Sequence, residues 1–284
     1  METLVSPAGE LEATFDPATG MLGTSLRHRG EELLPTGGIP FLYPWANRLS
    51  ALEYSVLGKE VRLDPDSPLL ELDPNGLPIH GLLGGWSSWE LKADSGRLTA
   101  ALDFGNEEKL LEAFPFSHTL RLDVGVRDDE LSITTTVAAD CGEAVPVSFG
   151  FHPYFRLPGV PRQEWQIALP VRERLLLDDR MIPTCEREPA GDLDGPLGDR
   201  SFDDGYAGVD PGRPFALAAA TRRVEVTFDG QFPFAQVYSP PGAEYICFEP
   251  MTAPTNALRS GKDLPVVEPG QTFTATWTAS VTQM

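Results

Sequence analysis

The sequence predicts an all-β protein built from large antiparallel sheets. Short runs of alternating apolar and polar residues recur along the chain, and clusters of Gly, Pro, Asp and Asn separate them. The 27 glycines and 27 prolines supply turns and disfavour long helices. Because helical segments do not alternate with the strands, the pattern favours an antiparallel sandwich over a parallel α/β fold.

The strands are expected where the alternation is clearest. They are 11–15, 21–28, 86–93, 98–104, 116–126, 131–139, 145–151, 165–169, 215–219, 224–228, 235–238, 244–248 and 272–279. In the last of these, apolar residues alternate with threonines throughout. One short segment, 107–114, has a helical pattern. The stretch 178–206 is rich in Asp, Gly and Pro, which predicts a long loop at the rim of a site.

The composition predicts one large domain. The chain has 284 residues, of which 41% are hydrophobic, and no linker-like stretch divides it, so residues 1–284 are expected to form a single domain. The formal net charge of −20 repels phosphate polymers and anionic lipid surfaces. Nucleic-acid and membrane partners are therefore not expected, whereas a neutral small molecule is compatible with this charge.

The cysteines and the N-terminal residues indicate the compartment. Cys141, Cys185 and Cys247 are too few and too scattered for a disulfide framework or a metal motif. The first residues lack a basic region followed by an apolar one, so no signal peptide is expected. No apolar run is long enough to span a membrane. These features favour a reducing cytoplasm. The protein is expected to be a monomer or a homodimer, although these features do not decide between the two.

Two apolar segments, FGFHPYF at 149–155 and YICFEP at 245–250, follow one pattern. Each runs to a titratable residue, His152 or Glu249, directly before a proline, where strand pairing tends to stop. Because side chains alternate faces along a strand, both residues would share their faces with small or polar neighbours. The pattern predicts a proton-transfer pair; the alternative is a satisfied core histidine and a surface carboxylate.

Other polar residues stand in distinctive contexts. Asn47 and Arg48 follow an aromatic run broken by proline, and the planar guanidinium of Arg48 suits adjacent hydroxyls or a carboxylate. The alternative is a surface arginine packed on Trp45. His80 precedes Gly81 at the end of a strand or turn, which suits either a ligand contact or a histidine bonded to its own backbone.

The remaining titratable residues are less distinctive. His118 is in phase with apolar neighbours and is expected to be buried, whereas His28 lies between two arginines and is expected at the surface. Asp203 and Asp204 are adjacent and would point to opposite faces, so they do not form a carboxylate dyad. Histidine spacings predict no metal site, and nucleophile-elbow, phosphate-loop and dinucleotide motifs are lacking.

Together these motifs resemble those of the aldose 1-epimerases, the galactose mutarotase-like proteins. The matching pieces follow the family's order: NR at 47–48, HG at 80–81, FPF at 114–116, FHPYF at 151–155, DxxY at 203–206 and EPMTAP at 249–254. They span most of the chain and are more specific together than singly. The resemblance implies a β-supersandwich with few short helices, a sugar cleft on one face and no cofactor.

The resemblance also implies an activity, the interconversion of the α and β anomers of a free hexose such as glucose or galactose. His152 would be the general acid and Glu249 the general base, and their proximity is expected to favour the charged imidazolium. Asp203, and not Asp204, fits the DxxY spacing. The residues implied in holding the sugar are Asn47, Arg48, His80, Asp203 and Tyr154.

Two features depart from the family's pattern. Galactose-type members often carry Gln-Pro-Gly before the strand of the glutamate, and here the turn is PPG at 240–242, so the glutamine contact is missing. The segment 81–89 has no Lys or Arg, which disfavours a hexose 6-phosphate as substrate. Basic groups that could still reach the site belong to Arg156, Arg162 and Arg259.

Three alternatives remain open from the sequence. One is a hexose-6-phosphate mutarotase. Another is a glycoside hydrolase in which Glu249 and Asp203 flank the scissile bond, which would release a second sugar from a disaccharide. The third is a non-catalytic sugar-binding protein, which would bind sugar without changing the rate of anomer exchange. In each of them Trp45 and Trp86 could serve as stacking platforms or belong to the core.

Overall fold

Antiparallel strands make up most of the secondary structure, as the alternating pattern predicts. The structure is a computed structural model and describes residues 1–140 and 142–284, so that Cys141 lies outside the described residues. Two large sheets, of nine and eight strands, contribute to one hydrophobic core. A four-stranded sheet at the N-terminus contacts the larger of the two. The predicted all-β fold is confirmed.

The nine-stranded sheet is the scaffold on which the core is built. Its strands, in spatial order, are Glu90–Asp94, Arg97–Asp103, His118–Arg127, Glu130–Ala139, Thr272–Gln283, Arg222–Phe228, Phe215–Ala219, Gln166–Ala168 and Gly195–Pro196. The long central strand shows the predicted alternation, with Ala275, Trp277 and Ala279 fully buried. Threonines between them face outward and meet threonines of the neighbouring strand, as Thr134 meets Thr276 at 2.9 Å.

The eight-stranded sheet carries the residues that the sequence singles out. In spatial order its strands are Pro183–Pro189, Glu173–Leu177, Phe202–Ala207, Phe234–Ser239, Ile246–Met251, Gly150–Phe151 and Phe41–Leu42, with Tyr154–Phe155 also paired to Ile246–Met251. One face of this sheet packs into the core through residues such as Phe155, Val237 and Phe248, none of which is exposed. The other face is available for a ligand.

The smaller elements complete the fold. The N-terminal sheet comprises Glu2–Val5, Leu11–Asp16, Leu22–His28 and Glu31–Glu32, and three strand pairs are Glu53–Val56 with Lys59–Arg62, Glu71–Leu72 with Pro78–Ile79, and Val145–Pro146 with Val266–Val267. The α-helices of the described residues are Glu108–Ala113 and Ala257–Ser260, and the 3-10 helices are Pro17–Thr19, Phe104–Asn106 and Arg162–Glu164. Among the described residues, no helix combines the length and the apolar character needed to cross a bilayer.

The long loop predicted at 178–206 is wrong. Two complete strands, Pro183–Pro189 and Gly195–Pro196, lie within it, and a third begins at Phe202. The first forms the outer edge of the eight-stranded sheet, and all but one of its residues are exposed. An edge strand without a buried face shows no apolar alternation, so the pattern that reveals the central strands is absent here.

The expectation for His28 is also wrong. The side chain is buried, with 1% of its surface exposed, although an arginine stands on each side of it. His28 is two residues beyond the buried Leu26, so it points to the same side of its strand. Its Nε2 lies 3.3 Å from Oδ1 of Asp129, in the turn of a hairpin of the large sheet. Strand periodicity is therefore the better guide at this position than the charge of the neighbours.

Candidate active site

Strand register brings dispersed residues onto one face of the eight-stranded sheet. Asp203 pairs with Tyr238, Tyr238 with Cys247, and Cys247 with Tyr154, so four strands contribute to one row. Cross-strand partners project to the same side of a sheet, which puts these side chains together. Of the four, Asp203 and Tyr154 are implied in sugar binding by the family resemblance, and the register aligns them.

The next row of the same face holds the two residues of the predicted pair. Glu249 pairs with Gln236, and on its other side the neighbouring strand is interrupted between Phe151 and Tyr154. His152 lies in that interruption, with its Nε2 3.2 Å from Oε1 of Glu249. The two residues that the sequence predicts as a proton-transfer pair are therefore in contact, and both are buried.

The contact between the pair is close but is not a hydrogen bond. Oε1 of Glu249 and Nδ1 of His152 are both buried without a hydrogen-bond partner among the described residues. Buried polar atoms normally find a partner, so an unpaired one needs an explanation, such as a catalytic role, a bound water molecule or an ion. The unpaired atoms leave both groups free to exchange a proton with a molecule that reaches them.

One expectation about this strand is wrong. Strand pairing does not stop at Pro250: the strand Ile246–Met251 continues past it, and Pro250 pairs with Ala235. Proline has no backbone N–H to donate to a neighbouring strand. The neighbouring strand is interrupted beside Glu249, so this missing donor leaves no strand hydrogen bond unmade. Glu249 therefore projects from the middle of a buried strand and not from its end, which accounts for its exposure of only 1%.

Three aromatic side chains fix the orientation of the imidazole. The ring of His152 stacks on Tyr154 at a centroid distance of 4.4 Å and an interplanar angle of 13°. His80 and Tyr238 approach the ring edge-on at 5.6 Å and 5.8 Å. Ring contacts of this kind restrict rotation about the side-chain torsions. The imidazole is thus held toward Glu249 before a ligand arrives.

Arg48 is held by a network that includes the predicted Asn47. Its Nε donates to Oδ2 of Asp73 at 2.7 Å, and its Nη1 donates to Oδ1 of Asn47 at 3.0 Å. The backbone N–H of His80 donates to the carbonyl of Asn47 at 2.9 Å, which ties the two segments together. Asp73 also accepts from two backbone N–H groups of its own turn, so it is a rigid anchor. The alternative of a surface arginine packed on Trp45 is wrong.

Asp203 and Asp204 are distinguished by their partners. Oδ1 of Asp203 accepts a hydrogen bond from Nε2 of Gln236 at 2.7 Å, on the face of Glu249. Asp204 points the other way and forms an ion pair with Arg174 at 3.0 Å. The structure therefore puts Asp203 on the ligand face, in agreement with the DxxY spacing. Desolvation raises the pKa of Asp203 even though part of the residue is exposed.

Sequence reasoning missed three residues of this face. Gln236 and Tyr238 lie two positions apart in a predicted strand whose other residues are apolar. Side chains two positions apart project to the same face, so this pair of polar residues could have indicated a polar face. Asp73 begins the turn DPNG at 73–76, which marks a turn but gives no indication of its contact with Arg48. That contact joins residues 25 positions apart and depends on the tertiary fold.

A cavity of about 470 Å³ opens beside the pair. Of the predicted site residues, His80 and Tyr154 form part of its wall. His152 lies between these two rings and does not line it, and neither do Glu249, Asn47, Arg48 and Asp203. The volume falls in the range of small-molecule sites. Trp45 is fully buried, so it belongs to the core and cannot be a stacking platform, and Trp86 is only partly buried.

Burial sets the proton distribution of the pair. Desolvation raises the pKa of Glu249 well above its ordinary value, and the neighbouring Asp203 adds to the effect while Arg48 opposes it. Desolvation also lowers the pKa of His152 to about 3, with a further contribution from His80. Burial therefore works against the charged imidazolium that proximity is expected to favour: in the free site, both pKa shifts favour a neutral His152 and a neutral Glu249.

We expect the protein to lose stability between pH 7 and pH 5. Burial lowers the pKa of His80 and of His118 to about 4. In the unfolded chain both titrate near 6.5, so the unfolded state binds more protons as the pH falls, and the free energy of unfolding falls with it. At the His152–Glu249 pair, the lowered pKa of His152 reduces stability as the pH falls and the raised pKa of Glu249 increases it, so the two effects largely offset each other. The two histidines together cost roughly 3 kcal/mol over this range.

Chemical denaturation at pH 7, 6 and 5 measures this effect. His118 donates from Nδ1 to the carbonyl of Phe116 and accepts at Nε2 from the hydroxyl of Tyr43, which fixes the neutral ring. His80 is partly exposed, so His118 is expected to contribute the larger share. His118→Gln should reduce the pH slope by about one proton. An unfolding free energy that stays constant, or rises toward pH 5, would contradict the expectation.

Gly81 is expected to be irreplaceable because it holds His80 against the core. It has φ of +77°, and a Cβ there would lie 2.2 Å from the carbonyl oxygen of Tyr43. Gly81→Ala should therefore cost the strain of a left-handed alanine, about 1–2 kcal/mol, and roughly 1–3 kcal/mol more for the clash. Gly76 is the matched control, because its φ is +74° and nothing lies within 4 Å of the position that an alanine methyl would take. Denaturant unfolding should separate the two variants, and equal losses would refute the role assigned to the contact.

The fold and the site together define a class of protein: a galactose mutarotase-like β-supersandwich with an imidazole and a carboxylate in contact on one face of a sheet. The chain belongs to the aldose 1-epimerase family, whose model matches residues 25–280. It is therefore a member of a family of sugar isomerases.

Relatives and solved structures agree with this assignment. The Escherichia coli K12 protein YihR, described as uncharacterized, is 26% identical over 257 residues, covering 86% of this chain and 79% of the relative. The Slr1438 protein from Synechocystis sp. PCC 6803 superposes with a TM-score of 0.80 at 24% identity, over 100% of this chain and 96% of that one. A galactose mutarotase-like protein from Clostridium acetobutylicum gives 0.82 at 19% identity, over 97% and 94%. These structures share the fold.

Proposed function

We propose that the protein is an aldose 1-epimerase that interconverts the α and β anomers of a free hexose such as glucose or galactose. The observation that carries the proposal is the contact of 3.2 Å between Nε2 of His152 and Oε1 of Glu249. The pair is buried behind His80 and Tyr154, which line a cavity of about 470 Å³. Ring opening needs one acid and one base at the same time, and this pair supplies both. A cytoplasmic location, where free hexoses are metabolised, fits the proposal.

In the proposed reaction Glu249 takes the proton of the anomeric hydroxyl while His152 delivers a proton to the ring oxygen. The bond between C1 and the ring oxygen breaks, and C1 and its hydroxyl oxygen become an aldehyde. Rotation about the C1–C2 bond presents either face of the carbonyl, and ring closure reverses the two proton transfers. The acid and the base exchange roles in each direction, so the site returns to its starting state after either anomer is released.

The proton of the pair has to move to His152 before ring opening. In the free site, burial raises the pKa of Glu249 and lowers that of His152, which favours the proton on Glu249. Sugar hydroxyls that donate to the Glu249 carboxylate would favour its ionised form, and Arg48 already lowers the pKa of Glu249. We therefore propose that sugar binding moves the proton from Glu249 to His152, which makes the two side chains an ion pair 3.2 Å apart. Arg48, Asp203, Asn47, His80 and Tyr154 are the groups proposed to hold the hydroxyls.

A free hexose is favoured over a hexose 6-phosphate by the charges around the cavity. Glu71 lines it, and no Lys or Arg does so among the described residues. The three arginines that could have reached the site donate to backbone carbonyls: Arg156 to Glu32, Arg162 to Gly198 and Arg259 to Glu53. A phosphate would meet a carboxylate and no free cation, which is unfavourable.

Anomer exchange observed by NMR tests the proposal directly. A panel of free and 6-phosphorylated aldoses at equilibrium should show exchange between anomers that is faster with the protein than without it, for free hexoses above all. Exchange confined to the 6-phosphates would favour the phosphosugar alternative. Release of a second sugar from a disaccharide would favour the hydrolase, and sugar binding without faster exchange would favour the binding protein.

A further inference from the structure

Cys247 lies beside the His152–Glu249 pair, and the proposed reaction has no use for it. It precedes Glu249 by two residues on the same strand, so both side chains project to the same face. A ring nitrogen of His152, the Sγ of Cys247 and a carboxylate oxygen of Glu249 all lie within 4.8 Å of one another. All three residues are buried, with exposures of 8%, 0% and 1%.

We propose that His152, Cys247 and Glu249 form an inhibitory binding site for Zn²⁺, occupied in competition with the sugar. The inhibitory effect rests on the proposed epimerase function, whereas metal binding itself does not. The sequence gives no indication of such a site, because its three ligands come from two separate segments without a metal-binding spacing.

The donor set selects the metal. Imidazole nitrogen, thiolate sulfur and carboxylate oxygen are the ligands of tetrahedral zinc sites, and three protein ligands leave a fourth position open. With bonds of about 2.0–2.3 Å, the edges of a zinc tetrahedron measure about 3.3–3.8 Å. The observed 3.2 Å between Nε2 of His152 and Oε1 of Glu249 fits one such edge. Mg²⁺ and Ca²⁺ prefer all-oxygen sets and are not expected to bind.

The charges at this position also favour a cation. A Cys247 thiolate and a Glu249 carboxylate together balance the charge of Zn²⁺, and binding releases both the thiol proton and the carboxyl proton to solvent. Asp203 is close enough to Glu249 to affect its ionisation and adds negative potential. Arg48 opposes a cation but is paired with Asp73 at 2.7 Å. The net charge of −20 further raises the local concentration of cations.

Bound zinc would stop the proposed reaction by occupying its two proton carriers. The metal would take the lone pair of the imidazole and that of the carboxylate, so neither could accept a proton from the sugar. A thiophilic metal would then act as a reversible inhibitor that a chelator removes. Because the ligands are buried side chains of the sheet, binding needs only a small approach of Sγ and no rearrangement of strands.

Co²⁺, used as a spectroscopic substitute for Zn²⁺, tests the site without an activity assay. Titration of the full chain should give a thiolate-to-cobalt charge-transfer band that saturates at one equivalent and is displaced by Zn²⁺. Cys247→Ser should abolish the band and weaken Zn²⁺ binding at least about 100-fold. Loss of a residue that only hydrogen-bonds to a metal ligand costs up to about 100-fold in affinity, and Cys247 is proposed as a ligand itself. Cys247→Ala is the second variant, in case serine disturbs the buried strand.

Two control variants make the assignment specific. Cys185→Ser removes an exposed cysteine elsewhere and should keep the band. Among the described residues, a second cluster of potential metal ligands consists of Glu10, His28 and Asp129. His28→Asn removes the histidine of that cluster, and this variant should also keep the charge-transfer band. A band that persists in both Cys247 variants, or that disappears with Cys185 or His28, would overturn the proposal.

Anomer exchange with and without Zn²⁺ completes the test. Zn²⁺ should slow exchange, a chelator should restore it, Mg²⁺ should have no effect, and Cys247→Ser should require at least about 100-fold more Zn²⁺ for the same inhibition. Exchange that Zn²⁺ leaves unchanged, with no cobalt band, would refute the metal site and leave the epimerase standing. A Cys247-dependent band in a protein without anomer exchange would support the metal site and refute the proposed function.

Discussion

Glu249→Gln is expected to slow catalysed anomer exchange roughly 10²–10⁴-fold, the usual contribution of a general acid–base group. Glutamine has the shape of the protonated carboxyl, which is the form that burial favours for Glu249 in the free site, because it raises the pKa of this carboxyl. The substitution therefore preserves the neutral, folded site but removes the ability to release and accept a proton. The loss should appear in kcat, with KM for the sugar changed much less.

The measurement is anomer exchange by NMR over a range of sugar concentrations, together with unfolding of both proteins in denaturant. Stability within about 1 kcal/mol of the parent at pH 7 would show that the activity loss is chemical, since isosteric replacements usually cost little. Glu71→Gln is a matched control, because Glu71 lines the cavity but is not one of the proposed proton carriers. Full activity in Glu249→Gln would refute the proposed mechanism.

The fold was predictable because its central strands are amphipathic or buried. The pattern at 272–279 identifies the strand Thr272–Gln283, and the segment 215–219 is found with its bounds. The same reasoning predicted one strand at 145–151, where the structure has a separate short strand Gly150–Phe151, and it missed Tyr154–Phe155, because alternation cannot be recognised over two positions. Those two short strands are nonetheless what positions His152, since the imidazole occupies the gap between them.

The site was predictable in its members but not in its electrostatics. The motifs identify His152, Glu249 and Arg48, and the structure brings the first two within 3.2 Å. The proton distribution depends on how completely the pair is buried and on its neighbours, which local sequence does not encode. Gln236 and Asp73 were missed for a related reason: each acts by holding another residue, through contacts that span 33 and 25 positions of the chain.

His152→Ala is expected to slow anomer exchange by a similar factor, roughly 10²–10⁴-fold, and its loss should be partly reversible. Removing the ring leaves a space bounded by Tyr154, which stacked on it at 4.4 Å, and by His80, which met its edge at 5.6 Å. Free imidazole in solution fits that space and can carry the same proton. Added imidazole should therefore raise the exchange rate of His152→Ala in a saturable manner.

The rescue separates a proton carrier from a structural residue. Glu249→Gln should not respond to imidazole, because its missing group is the carboxylate, and the parent protein should not respond either. A methyl-blocked imidazole of similar size but with a different proton affinity should rescue to a different extent, as proton transfer by a general acid depends on its pKa. If His152→Ala regains only stability with imidazole, or retains full exchange without it, then the ring serves the packing of the site and another group protonates the ring oxygen.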